Sequence, residues 1–225
     1  VGLEPTLGPV ATAFGEVYQY TVEGDSHSLM ELKTLHDWEI KYQLRAVPGV
    51  ADINTWGGVT RQYEIQVDPG KLRAYDLRLR DVFHRIAENN ANFGAGFVEH
   101  ASEQYTVRGL GRVSGVDDLR RTVISSLRGT PIYLEDIAEI RVGAMPRQGA
   151  VTRDGVGESV SGMVIMLKGQ NSKTVIERVK KALERIRTSL PEGVRIVPFY
   201  DQTEVIDSTI RTVRNNLLEG GALVV

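Results

Sequence analysis

The sequence predicts an α+β chain in which a ferredoxin-like subdomain, β-α-β-β-α-β, is split in its middle by an inserted α/β subdomain. Three observations carry this. A strand–helix–strand pattern opens the chain over residues 14–56, and a second one closes it over residues 149–200. The long stretch between them has strand and helix periodicities of its own. A ferredoxin-like unit joins its two middle strands directly, and a structureless loop of that length is uncommon inside a compact fold. An inserted subdomain reconciles the two.

Taken in order, residues 14–22 (FGEVYQYTV) alternate as a strand, with Phe14, Tyr18, Tyr20 and Val22 on one face and Glu16 unexpectedly among them. Ser28 and Glu31 have the spacing of a capping box. The helix they start runs to about Val47, with Leu32, Leu35, Trp38, Tyr42 and Leu44 as its apolar stripe, and Pro48-Gly49 ends it. Residues 50–56 form a strand, Gly57-Gly58 a hairpin turn, and residues 59–67 the return strand. Asp68-Pro69-Gly70 stops that strand, and helical runs follow at 71–75 and 79–90.

Further on, strands are expected at 104–109, 122–127, 132–134 and 138–142, with a short helix after Ser114. Residues 149–153 and 158–167 flank the turn Asp154-Gly155. Residues 163–167 are apolar on both faces, which marks a central strand. Asn171 or Ser172 caps a helix with Val175, Val179, Leu183 and Ile186 at helical spacing. Residues 194–200 form a strand whose Pro198 favours a sheet edge or strand end. Asp201 caps a last helix with Val205, Ile206, Ile210, Val213, Leu217 and Leu218. The chain starts at Val1 and stops at Val225 within a rising apolar run, so both ends read as cuts in a longer protein.

Composition is that of a globular protein, 41% hydrophobic and 25% charged. A net charge of −2 gives no electrostatic reason to expect nucleic acid as a partner. Without cysteine, disulfides, thiolate metal sites and thiol catalysis are excluded. The four histidines, His27, His36, His84 and His100, are scattered, read as surface or half-buried, and form no metal-binding pair at i, i+4. Gly109-Leu110-Gly111 with Gly115 has the wrong spacing for a dinucleotide loop. Asp117-Asp118 reads as the acidic start of a helix. No catalytic set and no bound cofactor is expected.

Glu16 is the residue that stands out. A carboxylate on an aromatic strand face must be solvated, paired or bound to a cation. It is either an exposed strand end or a ligand for a divalent ion such as zinc. Of the methionines, Met163 and Met166 lie in the buried strand and read as core, and Met145 lies in the loop that follows the insert.

LRAVPGVADINTWGG, YEIQVDPGKLRAYDLRLRDV and LPEGVRIVPFYDQTEVI resemble the periplasmic porter region of the resistance–nodulation–division (RND) efflux pumps. FGEVYQYTV, LHDWEIKYQLRAVPGV, NNANFGAGFVE and GQNSKTVIERV are closer still to the heavy-metal-efflux branch, the cobalt–zinc–cadmium and copper–silver pumps. The resemblance implies a porter subdomain at 1–71 and 146–200, an inserted docking subdomain at 72–145, and a connecting helix at 201–225 leading to a transmembrane helix. It implies the periplasmic part of a Gram-negative inner-membrane protein. The partners implied are the other protomers of a homotrimer, a periplasmic adaptor and an outer-membrane channel, with the membrane reached through parts of the pump outside this chain. Proton antiport of a metal cation is the implied activity, so the chain is expected to be part of a transporter and not an enzyme. A Glu at the position of Glu16 matches the divalent type and favours zinc, cobalt, cadmium or nickel over copper or silver. A multidrug pump of the same superfamily and a free-standing ferredoxin-like ligand-binding module are the competing readings.

Overall fold

The computed structural model describes residues 8, 10–11, 15–100, 103–147 and 149–224, with the backbone alone at 223 and 224. Phe14, expected on the first strand, lies outside these residues. The chain first forms β1, Glu16–Gly24. Ser28 then caps α1, Leu29–Leu35, in the expected capping box, its hydroxyl accepting from the Glu31 amide at 3.3 Å while Glu31 accepts from the Ser28 amide at 2.8 Å. A π-turn, His36–Ile40, interrupts the helix before α2, Lys41–Arg45. Gly49, at φ 98°, turns the chain into β2, Val50–Gly57.

Next come β3 (Arg61–Val67), α3 (Pro69–Ala74), α4 (Leu79–Asn89), β4 (Phe93–His100), β5 (Glu103–Gly109) and α5 (Val116–Arg120). They are followed by β6 (Val123–Leu127), β7 (Thr130–Tyr133), α6 (Leu134–Ile137) and β8 (Ala138–Ala144). The chain finishes with the short pair β9 (Thr152–Arg153) and β10 (Gly157–Glu158), then β11 (Val160–Met166), α7 (Ser172–Arg187), β12 (Val194–Asp201) and α8 (Gln202–Val224).

Two compact units result, residues 1–60 with 145–225, and residues 61–144. In the first, four antiparallel strands lie in the order β12-β1-β11-β2. β1 is rich in aromatic and β-branched residues, which suit a pleated, covered surface. Tyr20, Thr21 and Val22 are all buried; because successive side chains face opposite sides of a sheet, both faces are covered there. Bulges on both flanks of β1, between Glu16 and Tyr18 and between Gln19 and Tyr20, break the simple alternation expected from the sequence. β11 is central as expected, and β12, with Pro198, is an edge strand.

α7 buries Val175, Ile176, Val179, Leu183 and Ile186, the face its 3.6-residue periodicity dictates. Each such side chain contributes about 1.5–3 kcal/mol relative to exposure. Asn171 caps it, accepting from the Thr174 amide at 3.1 Å. Asp201 caps α8 through the Thr203 amide at 2.9 Å and pairs with Lys180 of α7. Burial pushes the Asp201 carboxyl up, but hydrogen bonds from Lys180 and Thr203 outweigh it and hold the group ionised below its usual range.

The helix preceding β2 departs from its expected stripe. Leu32, His36, Ile40 and Leu44 are buried, four residues apart, while Trp38 and Tyr42 are exposed. An α-helix turns every 3.6 residues, so a strict four-residue spacing drifts off its own face. The wider π-turn absorbs that drift and rotates the two aromatic rings outward.

The expected β2–β3 hairpin does not form. β3 pairs along its full length with β8, from Arg61 opposite Ala144 to Val67 opposite Ala138, and so belongs to the second unit. Gly57 and Gly58 (φ 71° and 68°) turn the chain out of β2, not back along it. The second unit holds only antiparallel pairs, β3–β8, β4–β5 and β6–β7, among its described strands. Arg128 and Gly129, at φ 51° and 85°, make the β6–β7 connection a primed hairpin turn. Its core gathers Val82, Leu119, Ile124, Ile132, Leu134, Ile137 and Ile140.

The Met145 amide donates to the Thr60 carbonyl at 2.9 Å, so the first unit closes on itself where the insert leaves and returns. Replacing residues 61–144 by a short glycine linker is therefore expected to leave a first unit that unfolds in one cooperative transition, monitored by circular dichroism in urea. A gradual, non-cooperative transition would contradict the division.

Candidate functional site

Glu16 is the first residue of β1, opposite Ile165 of β11, and its side chain is exposed. Among the described residues no three His, Cys, Asp or Glu side chains converge as a metal cluster. The aromatic face next to it is closed as well. Tyr18 is 4% exposed and Tyr20 fully buried, so neither lines an open aromatic pocket of the kind a multidrug carrier needs. Burial, followed by the charge of Asp201, raises the Tyr18 phenol, and the two residues sit opposite each other on β1 and β12.

The sulfur ligands are dispersed. Met163 and Met166 lie half-buried on β11, Met166 against the core. Met145 is 53% exposed and lines a groove of about 620 Å³ with Trp56, Thr60, Lys33 and Arg147. The groove's cations are already engaged, Lys33 with Asp37 at 3.7 Å and Arg147 with Glu158.

The most organised polar cluster of the first unit lies around His36, which the sequence reading placed at the surface or half-buried. Its imidazole is fully buried. Tyr20, Gly162 and Thr55 face one another across β1, β11 and β2. The ring of His36 lies over the glycine. A Cβ at Gly162 would stand 2.6 Å from His36 Nε2 and closer still to the Tyr20 ring, so only glycine leaves room. Tyr20 Oη and His36 Nε2 are 2.9 Å apart. Thr55 Oγ1 lies 3.1 Å from His36 Nδ1 and donates to Asp37 Oδ1 at 2.7 Å.

These distances assign the protons. Thr55 spends its only hydrogen on Asp37, so it accepts from His36 Nδ1–H. Nε2 is then bare and accepts from Tyr20. Burial, then the Asp37 charge, raises the Tyr20 phenol far above its ordinary value, which keeps it a donor. Burial lowers the imidazole, against the raising influence of Asp37, and it is held neutral. Burial likewise pushes the Asp37 carboxyl up, but bonds from His36 and Thr55 and the charge of Lys33 outweigh it and keep it ionised. A signal for His36 was present in the sequence: it falls midway in the Leu32–Ile40 spacing, a position reserved for core.

The AcrB/AcrD/AcrF family model matches residues 1–225. The chain belongs to that family. It is 44% identical over 230 residues to Protein HelA of Legionella pneumophila, across 99% of this chain and 22% of that protein. It is 41% identical over 233 residues to the cobalt-zinc-cadmium resistance protein CzcA of Cupriavidus metallidurans, across 100% of this chain and 22% of that protein. A crystal structure of a heavy metal efflux pump superposes with a TM-score of 0.84 at 31% identity, covering 98% of this chain and 22% of that one. These similarities place the chain in the heavy-metal-efflux branch of the RND transporters, as its motifs indicated. The chain spans less than a quarter of the length of these relatives.

Substituting Gly162→Ala is expected to destabilise the first unit by about 1–3 kcal/mol, the typical cost of an added methylene in a packed interior. Lowered urea midpoint with unchanged slope is the readout. A neutral effect would show that the contact of His36 and Tyr20 over the glycine is not tightly packed.

Proposed function

We propose that the chain is the periplasmic porter and docking portion of a proton-driven heavy-metal cation efflux pump, with zinc, cobalt, cadmium or nickel as cargo in preference to copper or silver. The observation that carries this is similarity over essentially the whole chain to a protein whose name states cobalt, zinc and cadmium resistance. Counted in chain order among its own four strands, the sheet β12-β1-β11-β2 runs fourth-first-third-second. That order supports a split ferredoxin-like porter, with residues 61–144 as the docking insert.

The docking insert offers the features of an assembly surface. The β4–β5 hairpin exposes Phe93, Phe97, Val98 and Tyr105, an apolar strip that water alone does not favour. It supports contact with neighbouring protomers of a homotrimer, and an adaptor and an outer-membrane channel complete the assembly in this reading. No helix among the described residues is long and apolar enough to cross a membrane. The proton-carrying carboxylates therefore belong, as the resemblance implies, to membrane helices outside this chain.

For the cargo, Glu16 is the residue of this chain that we assign to the ion path. It is exposed, and a single carboxylate oxygen suits a hard or borderline divalent ion as one ligand among several. The remaining ligands come from outside the described residues. The dispersed methionines supply no soft thioether cluster of the kind copper(I) or silver favours. Glu16→Gln in the full-length pump is expected to lower zinc and cobalt resistance of the host at least about tenfold, the scale of a lost metal-site partner, and to leave copper resistance unchanged. Unaltered zinc and cobalt resistance would remove Glu16 from the path.

A further inference from the structure

The network of Tyr20, His36, Asp37 and Thr55 is separate from the Glu16 assignment and sits at the irregular turn of the helix. His36 is the first residue of that π-turn and Ile40 the last, both fully buried. Between them stands Trp38, 69% exposed and stacked on Tyr42 with ring centroids 6.1 Å apart. A π-turn is a strained insertion that persists only where surroundings hold it. Here three strands and one imidazole hold it: Tyr20 from β1, Gly162 from β11 and Thr55 from β2.

The arrangement accepts one protonation state. With His36 neutral, every donor meets an acceptor. A second ring proton on Nε2 would point at the Tyr20 oxygen, and the Tyr20 hydroxyl hydrogen would have to turn away. Among the described residues that hydroxyl has no second partner, and Tyr20 is fully buried. A buried donor without an acceptor is costly.

The titratable and charged groups around the ring are Lys33 from α1, Asp37 beside it, Lys41 from α2 and Tyr20 from β1. The lysines oppose a charged imidazole and Asp37 favours one. β2 contributes Thr55 and β11 contributes Gly162, which do not titrate. Asp37 Oδ1 also lies 3.3 Å from His36 Nδ1, but the carboxylate is shared with Thr55 at 2.7 Å and Lys33 at 3.7 Å, which reduces what it offers an imidazolium.

We propose that Tyr20, His36, Asp37 and Thr55 form an acid-sensitive latch. With His36 neutral the latch pins the π-turn to the sheet; protonation of the ring releases the turn and the aromatic pair it carries. The latch is a property of the first unit alone and goes beyond the assignment of the cargo. Its sign follows from linkage. A histidine that the fold holds below its ordinary value of 6.5 gives stability that is fully present above pH 6.5. That stability is lost as the pH falls from 6.5 towards the folded-state value, by at most tenfold in the opening equilibrium per pH unit.

The test is a pH titration of the 225-residue chain by NMR, following the ring nitrogens of all four histidines and the indole signals of Trp38 and Trp56. At pH 7 the His36 ring is expected as the neutral Nδ1–H tautomer. On acidification His36 takes up its second ring proton only below the ordinary value of 6.5, and amide protection of residues 36–40, corrected for the intrinsic exchange rate, falls together with it. His36→Gln offers the same acceptor and donor without titrating, and it is expected to abolish that pH-dependent loss. Titration of His36 at or above 6.5 would overturn the proposal. So would an Nε2–H tautomer at pH 7, or equal pH dependence of residues 36–40 in the wild type and in His36→Gln. Should that variant fail to fold, the wild-type tautomer and the pH at which His36 titrates decide alone.

Discussion

The pairing of β1 with β11 is the constraint on which the first unit depends. It joins Glu16–Val22 to Val160–Ile165, and the Ser161 hydroxyl donates to the Tyr20 carbonyl across 141 residues of sequence at 3.2 Å. The rest of the four-stranded sheet is attached to one of these two strands. β12 pairs with β1, β2 pairs with β11, and α7 packs its apolar face on the sheet they form. The row Tyr20–Gly162–Thr55 runs across the middle of that sheet and provides the floor on which His36 rests. Without the β1–β11 seam the four-stranded sheet would split into two strand pairs, β12–β1 and β11–β2.

This explains how an insertion of folded structure is tolerated. Thr60 and Met145 are hydrogen-bonded to each other, so the insert leaves and returns at one place on the first unit. Its own core, from Val82 to Ile140, is satisfied internally. The functional reading rests on this arrangement too. We assign ion handling to the first unit, with its exposed carboxylate at the start of a central strand, and assembly to the second, with its exposed apolar hairpin. Among the described residues no three His, Cys, Asp or Glu side chains converge in either unit.

Local signals were legible in the sequence. The Ser28–Glu31 capping box, the Asn171 cap, the α7 stripe, the Asp154-Gly155 turn and the edge position of Pro198 each depend on residues close in the chain, and each is found. Signals that depend on distant partners were not. β3 alternates like the return strand of a hairpin, but its partner is chosen by the β8 sequence, far downstream. β4, with Gly94 and Gly96 between its phenylalanines, lacks strand periodicity and is defined by its pairing with β5. The π-turn left only the four-residue spacing of Leu32, His36, Ile40 and Leu44, which competes with the more conspicuous Trp38 and Tyr42. Glu16 was conspicuous for its chemistry among aromatic neighbours; it is exposed as the first residue of β1, a strand-end position that the sequence allowed.

The central claim is that segments on either side of the insert form one cooperative unit through the β1–β11 seam. Native-state hydrogen exchange measures it directly, because amides opened by a single event share one opening free energy. The account predicts that Tyr20, Thr21 and Val22 of β1 and Ser161 and Gly162 of β11 exchange with the same free energy, the highest in the first unit. Separate values, with residues 16–57 opening as one block and residues 160–201 as another, would contradict it.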